Sequence, residues 1–512
     1  MLRPIIATIS KEQGANVETL YHSTRGNAEN VTSKQAILTG IAPDGGLFVS
    51  DQIGSARLDL KTVCSNDYHA NARLVLETLL SDYTADEIAT CVSGAYGDRW
   101  DDAAITPVSA LGPDWLLELY HGPTCAFKDV ALQMLPRLMS VARETAGNGR
   151  NVMILTATSG DTGKAALDGF ADVAGTGVTV FYPDGKVSDV QRLQMVTQRG
   201  ANVAVCGIRG NFDDAQTEVK NIFADAGVAE RLAAANTVLS SANSINVGRL
   251  VPQVTYYFDA YAQLVRNGSI TCGDEIEFCV PTGNFGDVLA GYYAKLLGLP
   301  VGRLIVASNA NNVLTDFITS GTYDRKRPFH KTISPSMDIL VSSNLERLLY
   351  YLSDGDCELV ASYMADLSEK GSYTISAQML ERLHETFTCG FADDDATRAT
   401  IKDTWSTLGV LVDTHTAVAK AVLDALPSSG MQRVCLSTAS PYKFSADVLA
   451  ALGEDTSGMG GFACMDRLEQ ITDTVAPSQL SGLRDATELH PDVCDRDEMP
   501  AFVERACARV FA

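Results

Sequence analysis

The sequence of 512 residues predicts an α/β fold in which parallel strands alternate with helices. Two observations predict it. Apolar runs of strand length lead through glycine-rich turns into helical patterns, as at 151–168 and 275–298, and the same alternation recurs from about residue 101 to 445. Such units build parallel sheets, which bind ligands at the carboxyl ends of their strands.

Residues 1–100 are predicted to form a helical N-terminal cap domain. Within it, 72–80 shows the i, i+3, i+4 spacing of an amphipathic helix. Residues 101–445 are predicted to form the α/β region, where apolar strands at 178–182 and 303–308 each precede a helix. The ligand sites are therefore expected in this second part of the chain.

Two further segments are predicted around that region. A more helical stretch at about 320–420 is interpreted as an insertion within it. Residues 446–512 are predicted to form a C-terminal extension, in which a flexible glycine-rich linker leads to a short helix at 502–510. No internal repeat is evident.

The stretch HGPTCAFKD at 121–129 places Lys128 between an apolar approach and Asp129. An apolar setting lowers the pKa of a lysine and a neighbouring carboxylate raises it, so the local sequence leaves the charge open. A lysine that is neutral part of the time can form a Schiff base, and pyridoxal phosphate is the commonest carbonyl cofactor held in this way. The alternative is an ordinary solvated surface lysine.

Two strand-to-helix turns are candidate anion sites. Backbone N–H groups at a helix start are unpaired, and glycine lets the chain approach a ligand closely. The turn GNFGD at 283–287 suits a phosphate, although an ordinary turn remains an alternative. The turn SGDTG at 159–163 lacks the glycine and the Ser or Thr of a nucleotide P-loop and suits a carboxylate. A plain helix cap is the alternative there.

Further along, 433–437 reads as a strand that is followed by Thr438. A hydroxyl at a strand end can hydrogen-bond the pyridine nitrogen of such a cofactor. Ser and Thr in this position are more often turn formers, which is the alternative interpretation.

At this point the chain resembles the threonine synthase family, within the fold type II group of pyridoxal phosphate enzymes. The resemblance covers about residues 20–445. It rests on these motifs: YHSTRG from Tyr21, APDGGLF from Ala42, HGPTCAFKD from His121, LTATSGDTG from Leu155, NSINVGR from Asn243, PTGNFGD from Pro281 and SPSMDIL from Ser334. It implies the architecture of the tryptophan synthase β subunit, with two α/β lobes built on parallel sheets.

The resemblance also implies roles for the cofactor site. Lys128 is expected to form the Schiff base, and Thr438 to face the pyridine nitrogen. A hydroxyl there leaves the nitrogen unprotonated, which favours proton transfer by Lys128. The cofactor phosphate is expected on Gly283, Asn284, Phe285, Gly286 and Asp287.

For the substrate, the resemblance assigns the α-carboxylate to the turn of Ser159, Gly160, Asp161, Thr162 and Gly163. Candidates for the substrate phosphate are Lys186, Ser188, Asn246 and Arg249. A bidentate arginine is the natural phosphate clamp. A surface ion pair is the alternative for Arg249.

The implied reaction converts O-phospho-L-homoserine and water to L-threonine and phosphate, with Lys128 as anchor, acid and base. A related fold type II phospholyase or dehydratase that yields a 2-oxo acid is an alternative, and a non-catalytic cofactor-binding protein is another. One departure bears on this choice. The family usually reads TAHPAKF where this chain has Thr438 to Phe444 as TASPYKF, so Ser440 replaces histidine and Tyr442 replaces alanine. A serine cannot hold a proton near neutral pH.

The amino-acid composition bears on the possible partners and on the cellular location of the protein. A net charge of −23 argues against nucleic acid and an acidic membrane surface as partners. Twelve cysteines without a CxxC pair are interpreted as reduced thiols, and the histidines lack the HExxH spacing of a catalytic zinc site. The first residues lack a long apolar core and a cleavage site, which argues against a secretory signal, and no run reaches the roughly 18 apolar residues of a membrane helix. A cytoplasmic monomer or homodimer is predicted.

Overall fold

The computed structural model describes residues 20–158 and 160–512. The part before residue 100 combines helices with a small antiparallel sheet, whose order is β2-β1-β3. Its elements are β1 (Leu20–Ser23), β2 (Val31–Thr32), α1 (Ser33–Thr39), β3 (Phe48–Ser50), α2 (Leu60–Ser65), α3 (Tyr68–Leu79) and α4 (Ala85–Ala95). Helix α3 covers residues 72–79 of the amphipathic segment predicted at 72–80. The sheet escapes a pattern analysis because its strands have only two to four residues.

The next part of the chain alternates strands and helices. Its elements are β4 (Val108–Leu111), β5 (Asp114–Glu118), α5 (Lys128–Thr145), β6 (Asn151–Ala157), α6 (Asp161–Phe170), β7 (Thr176–Pro183), α7 (Asp189–Val196), β8 (Val203–Ile208), α8 (Phe212–Ala224), α9 (Ala226–Ala234), β9 (Thr237–Ser240) and α10 (Val247–Arg266). Helix α10 is buried along nearly its whole length, and it packs against α5, α3 and α2. It therefore joins the first part of the chain to the α/β region.

The alternation continues towards the C-terminus. The elements are β10 (Ile276–Pro281), α11 (Gly286–Leu296), β11 (Val301–Ser308), α12 (Val313–Ser320), β12 (Thr322–Asp324), α13 (Leu345–Leu352), α14 (Cys357–Glu369), β13 (Ser372–Thr374), α15 (Ala377–His384), β14 (Phe387–Phe391), α16 (Asp394–Leu408), α17 (Thr414–Ala425), β15 (Gln432–Ser437), α18 (Ser445–Leu452), α19 (Gly461–Thr472), α20 (Ser478–Ser481), β16 (Val493–Cys494) and α21 (Met499–Val510).

The strands form two larger sheets, as the fold class predicts. One has the order β16-β8-β7-β6-β9 and is parallel throughout. The other has the order β14-β11-β10-β15-β5-β4 and is parallel except for the hairpin of β4 with β5. Near-continuous burial of the inner strands explains their unbroken apolar runs, because helices cover both faces of such sheets.

Two stretches differ in detail from the sequence pattern. The segment at about 320–420 contains helices α13 to α16, but it also supplies the edge strand β14 and the antiparallel pair of β12 with β13. After residue 453, a short loop leads into α19, which packs on α18 and α7 through Cys464, Met465 and Leu468. The tail is therefore packed, and β16 extends the first sheet. Every helix of the described residues is too short or too polar to span a bilayer.

Candidate active site

Lys128 is the first residue of α5, where the loop that follows β5 turns into the helix. Its side chain is 11% exposed, and Nζ lies 3.5 Å from Oδ2 of Asp161 and 4.6 Å from the centre of the Phe127 ring. Burial lowers the pKa of Lys128, Asp161 opposes that shift, and the cations of Lys443 and Arg249 reinforce it. The lowered pKa favours the neutral, nucleophilic form of the amine.

The carboxylate beside the amine is Asp161 and not its sequence neighbour Asp129. The Asp129 carboxylate is fully buried and turned to Thr124, from which it accepts the backbone N–H at 2.8 Å and the hydroxyl at 2.5 Å. Asp161 begins α6, at the carboxyl end of β6. The local charge of Lys128 is therefore set by a residue 33 positions away in the chain.

Lys443 completes a buried row of three charges. Its Nζ lies 2.7 Å from Oδ1 of Asp161 and donates to the carbonyl of Thr124 at 2.7 Å. Burial alone would raise the pKa of Asp161, but Lys443 and Lys128 hold it well below its usual range. Asp161 in turn raises the pKa of Lys443 against the effect of burial. Lys443 is thereby the charged partner, and Lys128 is the lysine left free to react.

The turn at 283–287 links β10 to α11. Phe285 adopts a left-handed backbone with φ 66°, and α11 begins without a side-chain cap. Asn284 Oδ1 accepts the N–H of Gly286 at 2.9 Å, and the Asp287 carboxylate accepts the hydroxyls of Tyr256 and Tyr257 at 2.5 and 2.9 Å. Burial raises the pKa of Asp287 to about 6. An uncapped helix start at a strand end is suited to an anion.

Thr438 follows β15 and is drawn next to Lys128 by backbone pairing. Its carbonyl accepts the N–H of Phe127 at 2.9 Å, and Ala439 forms an isolated antiparallel bridge with Ala126. Thr438 is 6% exposed and lines the same small cavity as Lys128 and the 283–287 turn. The structure therefore brings the predicted pyridine-nitrogen partner, phosphate turn and lysine together.

Two cavities meet at Lys128. The smaller, of about 40 Å³, is lined by Lys128, Thr438, the turn at 283–287, Ser336 and His415. The larger, of about 460 Å³, is lined by Lys128, by Gly160 to Thr162, by Arg249, and by residues 243–245 and 335–339 among others. Both are lined by Asn284 as well, so they form neighbouring compartments on either side of the lysine.

Arg249 lies in the first turn of α10 and faces the larger cavity. It is 3% exposed, its Nη1 donates to the carbonyl of Ala242 at 2.9 Å, and its Nε has no hydrogen-bond partner among the described residues. Burial lowers its pKa to about 10. A buried guanidinium with an unused donor is not a surface ion pair, and it leaves room for an anionic partner.

The other predicted phosphate contacts lie elsewhere. Asn246 is buried, but its side chain caps α10 by accepting from Gly248 and donates to the carbonyl of Ile37. Lys186 and Ser188 are exposed and do not line either cavity at Lys128. Of the carboxylate turn, Gly160, Asp161 and Thr162 line the larger cavity, Gly163 is buried behind them, and Ser159 lies outside the described residues.

The sequence interpretation missed a buried histidine at the smaller cavity. His415 Nδ1 lies 2.8 Å from Oδ1 of Asp413, and its Nε2 accepts the N–H of Ser336 at 3.1 Å. The acceptor role of Nε2 places the proton on Nδ1, where it is donated to the carboxylate. His415 thereby fixes the 3₁₀ turn of Pro335–Met337, which forms a wall of both cavities. The pattern Asp-x-His at the start of α17 was the available signal.

Ser440, which replaces the family's histidine, does not line either cavity at Lys128. Its N–H donates to the carbonyl of Cys125 at 3.1 Å, and its hydroxyl accepts the N–H of Tyr442 at 3.3 Å. With Tyr442 it lines a separate cavity of about 710 Å³. Ser440 and Tyr442, which depart from the family pattern, therefore line a different cavity from the one at the reacting lysine.

Comparison with known proteins places this geometry in a family. Three family models match in chain order: Threonine synthase N terminus at 20–96, Pyridoxal-phosphate dependent enzyme at 109–436, and Threonine synthase, C-terminal, at 416–502. The threonine synthase of Pseudomonas aeruginosa is 37% identical over 477 residues, which cover 92% of this chain and 98% of that protein. This chain belongs to the threonine synthase family.

Two further comparisons extend that finding. The structure resembles the crystal structure of PLP-bound threonine synthase from Brucella melitensis with a TM-score of 0.86 at 35% identity, covering 96% of this chain and 99% of that one. The human protein Threonine synthase-like 1 is 39% identical over 430 residues, or 82% of this chain. The match spans 58% of the length of that human relative.

The residues at Lys128 fit the cofactor of this family. Pyridoxal phosphate needs a lysine amine, an anion cradle and a partner for its ring nitrogen. Lys128, the uncapped start of α11 and Thr438 line one cavity and supply these three groups. Gly283 is required by close packing, since a Cβ there would lie 3.0 Å from the carbonyl oxygen of Ser336 and 3.3 Å from Cα of Met337.

That packing gives a testable expectation for Gly283→Ala. The added methyl group presses on backbone of the Ser336 turn, so the cradle must open. We expect cofactor affinity, measured by equilibrium dialysis, to fall at least about tenfold, which corresponds to about 1.4 kcal/mol. Gly482→Ala is the matched control, because a Cβ at Gly482 meets no atom within 4 Å. Equal affinities in the two variants would contradict the cradle assignment.

The row of three charges predicts a pH effect. In Lys443→Met, the Asp161 carboxylate faces Lys128 alone, which raises the pKa of Lys128. In the enzyme whose cofactor is attached to Lys128, this amine is free to act as a base only after the substrate has bound. The acid limb of the kcat profile should therefore move to higher pH by about one unit or more. Lys443→Arg keeps the cation and should leave the limb in place. An unshifted limb in Lys443→Met would exclude this role for Lys443.

Proposed function

We propose that this protein is a threonine synthase, which converts O-phospho-L-homoserine and water to L-threonine and phosphate. The observation that carries the proposal is Arg249, a buried guanidinium with an unpartnered Nε in the same cavity as Lys128. A buried cation that the protein leaves uncompensated favours a substrate with an anionic group, and because the start of α6 suits the carboxylate, Arg249 is left for the phosphate. Membership of the threonine synthase family supports the same substrate.

Lys128 is proposed as the group that moves protons. Bound pyridoxal phosphate supplies an electron-withdrawing imine that acidifies the C–H bonds near the substrate's amino group. Nζ of Lys128 takes up these protons and returns them, because burial and the cations of Lys443 and Arg249 favour its neutral form. Asp161, 3.5 Å away, stabilises the ammonium that forms.

The remaining site residues are proposed to bind and orient. The start of α6, with Gly160 and Thr162, faces the cavity and suits the substrate carboxylate. Thr438 offers an uncharged partner to the ring nitrogen, and the 283–287 turn holds the cofactor phosphate. Arg249 holds the substrate phosphate, with Asn243 and Ser244 lining the same wall. In this arrangement Lys186, Ser188 and Asn246 have less direct roles than the sequence suggested.

We also propose the organisation and setting of the protein. The division at about residue 100 is supported by the limits of the first two family models, which end at 96 and begin at 109. The second model ends at 436, near the proposed boundary at 445, whereas the C-terminal model already begins at 416. A cytoplasmic location is supported by twelve cysteines that are all free thiols. The net charge of −23 supports a small-molecule substrate rather than nucleic acid. A monomer or homodimer is proposed as the assembly.

Substrate selectivity tests the proposal. O-phospho-L-homoserine should be converted with a kcat/KM at least about 10²-fold above that for L-homoserine, because phosphate is both the leaving group and the partner of the charge-assisted hydrogen bonds to Arg249. Steady-state kinetics with both compounds, monitored by threonine formation, make the comparison. Equal kcat/KM values would overturn the assignment of Arg249 and the choice of substrate.

A further inference from the structure

Two cysteine thiols that are 208 positions apart in the sequence meet at the junction between the N-terminal helices and the α/β region. Cys64 lies in the last turn of α2, and Cys272 lies in the loop between α10 and β10. Their sulfur atoms are 3.8 Å apart. A disulfide bond requires about 2.05 Å, so a movement of less than 2 Å would join them.

The elements that carry the two thiols are already held together. Helix α2 packs against α10, and Arg266 at the end of α10 donates to the carbonyl of Asn66, just after α2, at 2.6 Å. The loop is anchored by Tyr261, whose hydroxyl accepts the N–H of Gly273 at 2.8 Å and donates to the carbonyl of Asp274 at 3.0 Å. These contacts therefore hold the two thiols close to each other in the folded protein.

The loop also has freedom to close the gap. Gly268 and Gly273 flank Cys272 with positive φ angles of 79° and 110°, and a Cβ on either would meet no atom within 4 Å. Cys272 is exposed to solvent, whereas Cys64 is buried beneath it. Burial and the hydrogen bond with Cys272 raise the pKa of Cys64 to about 12. The exposed thiol is thus the one that meets an oxidant first, and the buried thiol is placed to react second.

We propose that Cys64 and Cys272 form an intramolecular disulfide bond when the protein meets a hydroperoxide. The thiolate of Cys272 attacks one oxygen of hydrogen peroxide, so an S–O bond forms, the O–O bond breaks and hydroxide leaves. The sulfur of Cys64 then attacks the sulfenic acid, the S–S bond forms, and hydroxide leaves and takes the Cys64 proton as water. Two thiols lose two electrons, and one peroxide becomes two waters.

A second close pair provides an internal comparison. Cys206 on β8 and Cys494 on the paired strand β16 belong to one buried apolar cluster. A peroxide reaches this pair only when the edge strand opens. Cross-linking at Cys64 and Cys272 is therefore expected to be at least about tenfold faster than at Cys206 and Cys494.

The test uses the full-length protein loaded with its cofactor. It is exposed to a few equivalents of hydrogen peroxide, blocked with N-ethylmaleimide, digested without reduction and examined by mass spectrometry. We expect a peptide pair joined through Cys64 and Cys272, about 2 Da lighter than the two thiol peptides together, which disappears after treatment with dithiothreitol. Cys272→Ser should abolish it, and Cys357→Ser, at a partly exposed thiol, should leave it unchanged.

Two further measurements test which thiol is oxidised first and whether the disulfide bond stabilises the folded protein. In Cys64→Ser, dimedone should trap the sulfenic acid at Cys272. In the wild type, oxidation should raise the midpoint of thermal unfolding by a few degrees, because the bond closes a long loop in the unfolded chain, and Cys272→Ser should show no rise. Recovery of both Cys64 and Cys272 as N-ethylmaleimide adducts after peroxide treatment, or a link from Cys272 to another cysteine, would overturn the proposal.

Discussion

Replacement of Lys128 with alanine should lower kcat/KM for O-phospho-L-homoserine by at least about 10³-fold, because one amine both attaches the cofactor and moves the protons. The visible absorption of the lysine-bound cofactor should disappear in the same variant. Lys128 is placed for both tasks by the start of α5, with its amine between Asp161 and the 283–287 turn. Steady-state kinetics and an absorption spectrum of the purified variant provide the check.

Lys402→Ala is the matched control for this experiment. Lys402 is exposed on α16 and lines neither cavity at Lys128. Its replacement should therefore leave the absorption spectrum unchanged and alter kcat/KM by no more than about twofold. Persistence of the cofactor absorption in Lys128→Ala would mean that another lysine holds the cofactor. Lys443 and Lys164, both buried nearby, would then be examined in turn.

Replacement of Arg249 with methionine should produce the second large effect. We expect kcat/KM for O-phospho-L-homoserine to fall by about 10²-fold or more, mainly through KM, because the phosphate loses charge-assisted hydrogen bonds. Cofactor affinity should stay within about threefold of the wild type, since Arg249 lines the larger cavity and not the smaller one. Kinetics and equilibrium dialysis on the same preparation separate the two quantities.

The same variant should be more stable than the wild type when no substrate is present. Arg249 is 3% exposed, and its Nε is unpartnered, so methionine relieves a buried charge while keeping much of the volume. We expect the midpoint of thermal unfolding to rise in Arg249→Met. A loss of stability together with a parallel loss of cofactor and substrate binding would indicate a structural arginine and contradict a phosphate role.

Motifs that are continuous in sequence were predictable. Lys128, the 283–287 turn and Thr438 each follow a strand, and parallel strands bring such turns to one edge of a sheet. The order of strands and helices along the chain was enough to predict that these residues lie near one another. The two-lobe architecture followed from the same alternation and from the resemblance to a known family.

Contacts between distant side chains were not predictable from one sequence. Nothing near Lys443 indicates that its ammonium meets Asp161, and Asp129 was the more obvious partner of Lys128 from spacing alone. Asn246 was expected at the substrate because it belongs, with Arg249, to the motif NSINVGR that resembles the family. In the helix, however, a cap residue turns its side chain to the backbone, whereas Arg249 three positions later faces the cavity.

The significance of Ser440 also depended on three-dimensional placement. In sequence it stands two residues from Thr438 and replaces a histidine, which suggested an altered reaction. In the structure its hydroxyl caps the 3₁₀ turn of Pro441–Phe444 and faces away from Lys128, while His415 occupies the wall of the smaller cavity. Formation of threonine is therefore expected in spite of the substitution.

The proposed conversion of O-phospho-L-homoserine to threonine is tested by the balance of its products. The purified protein, loaded with pyridoxal phosphate, is incubated with O-phospho-L-homoserine, and phosphate, threonine and 2-oxobutyrate are measured in the same samples. We expect one threonine for each phosphate released and no 2-oxobutyrate above the level in Lys128→Ala. Phosphate released with an equal amount of 2-oxobutyrate, or no phosphate at all, would contradict it.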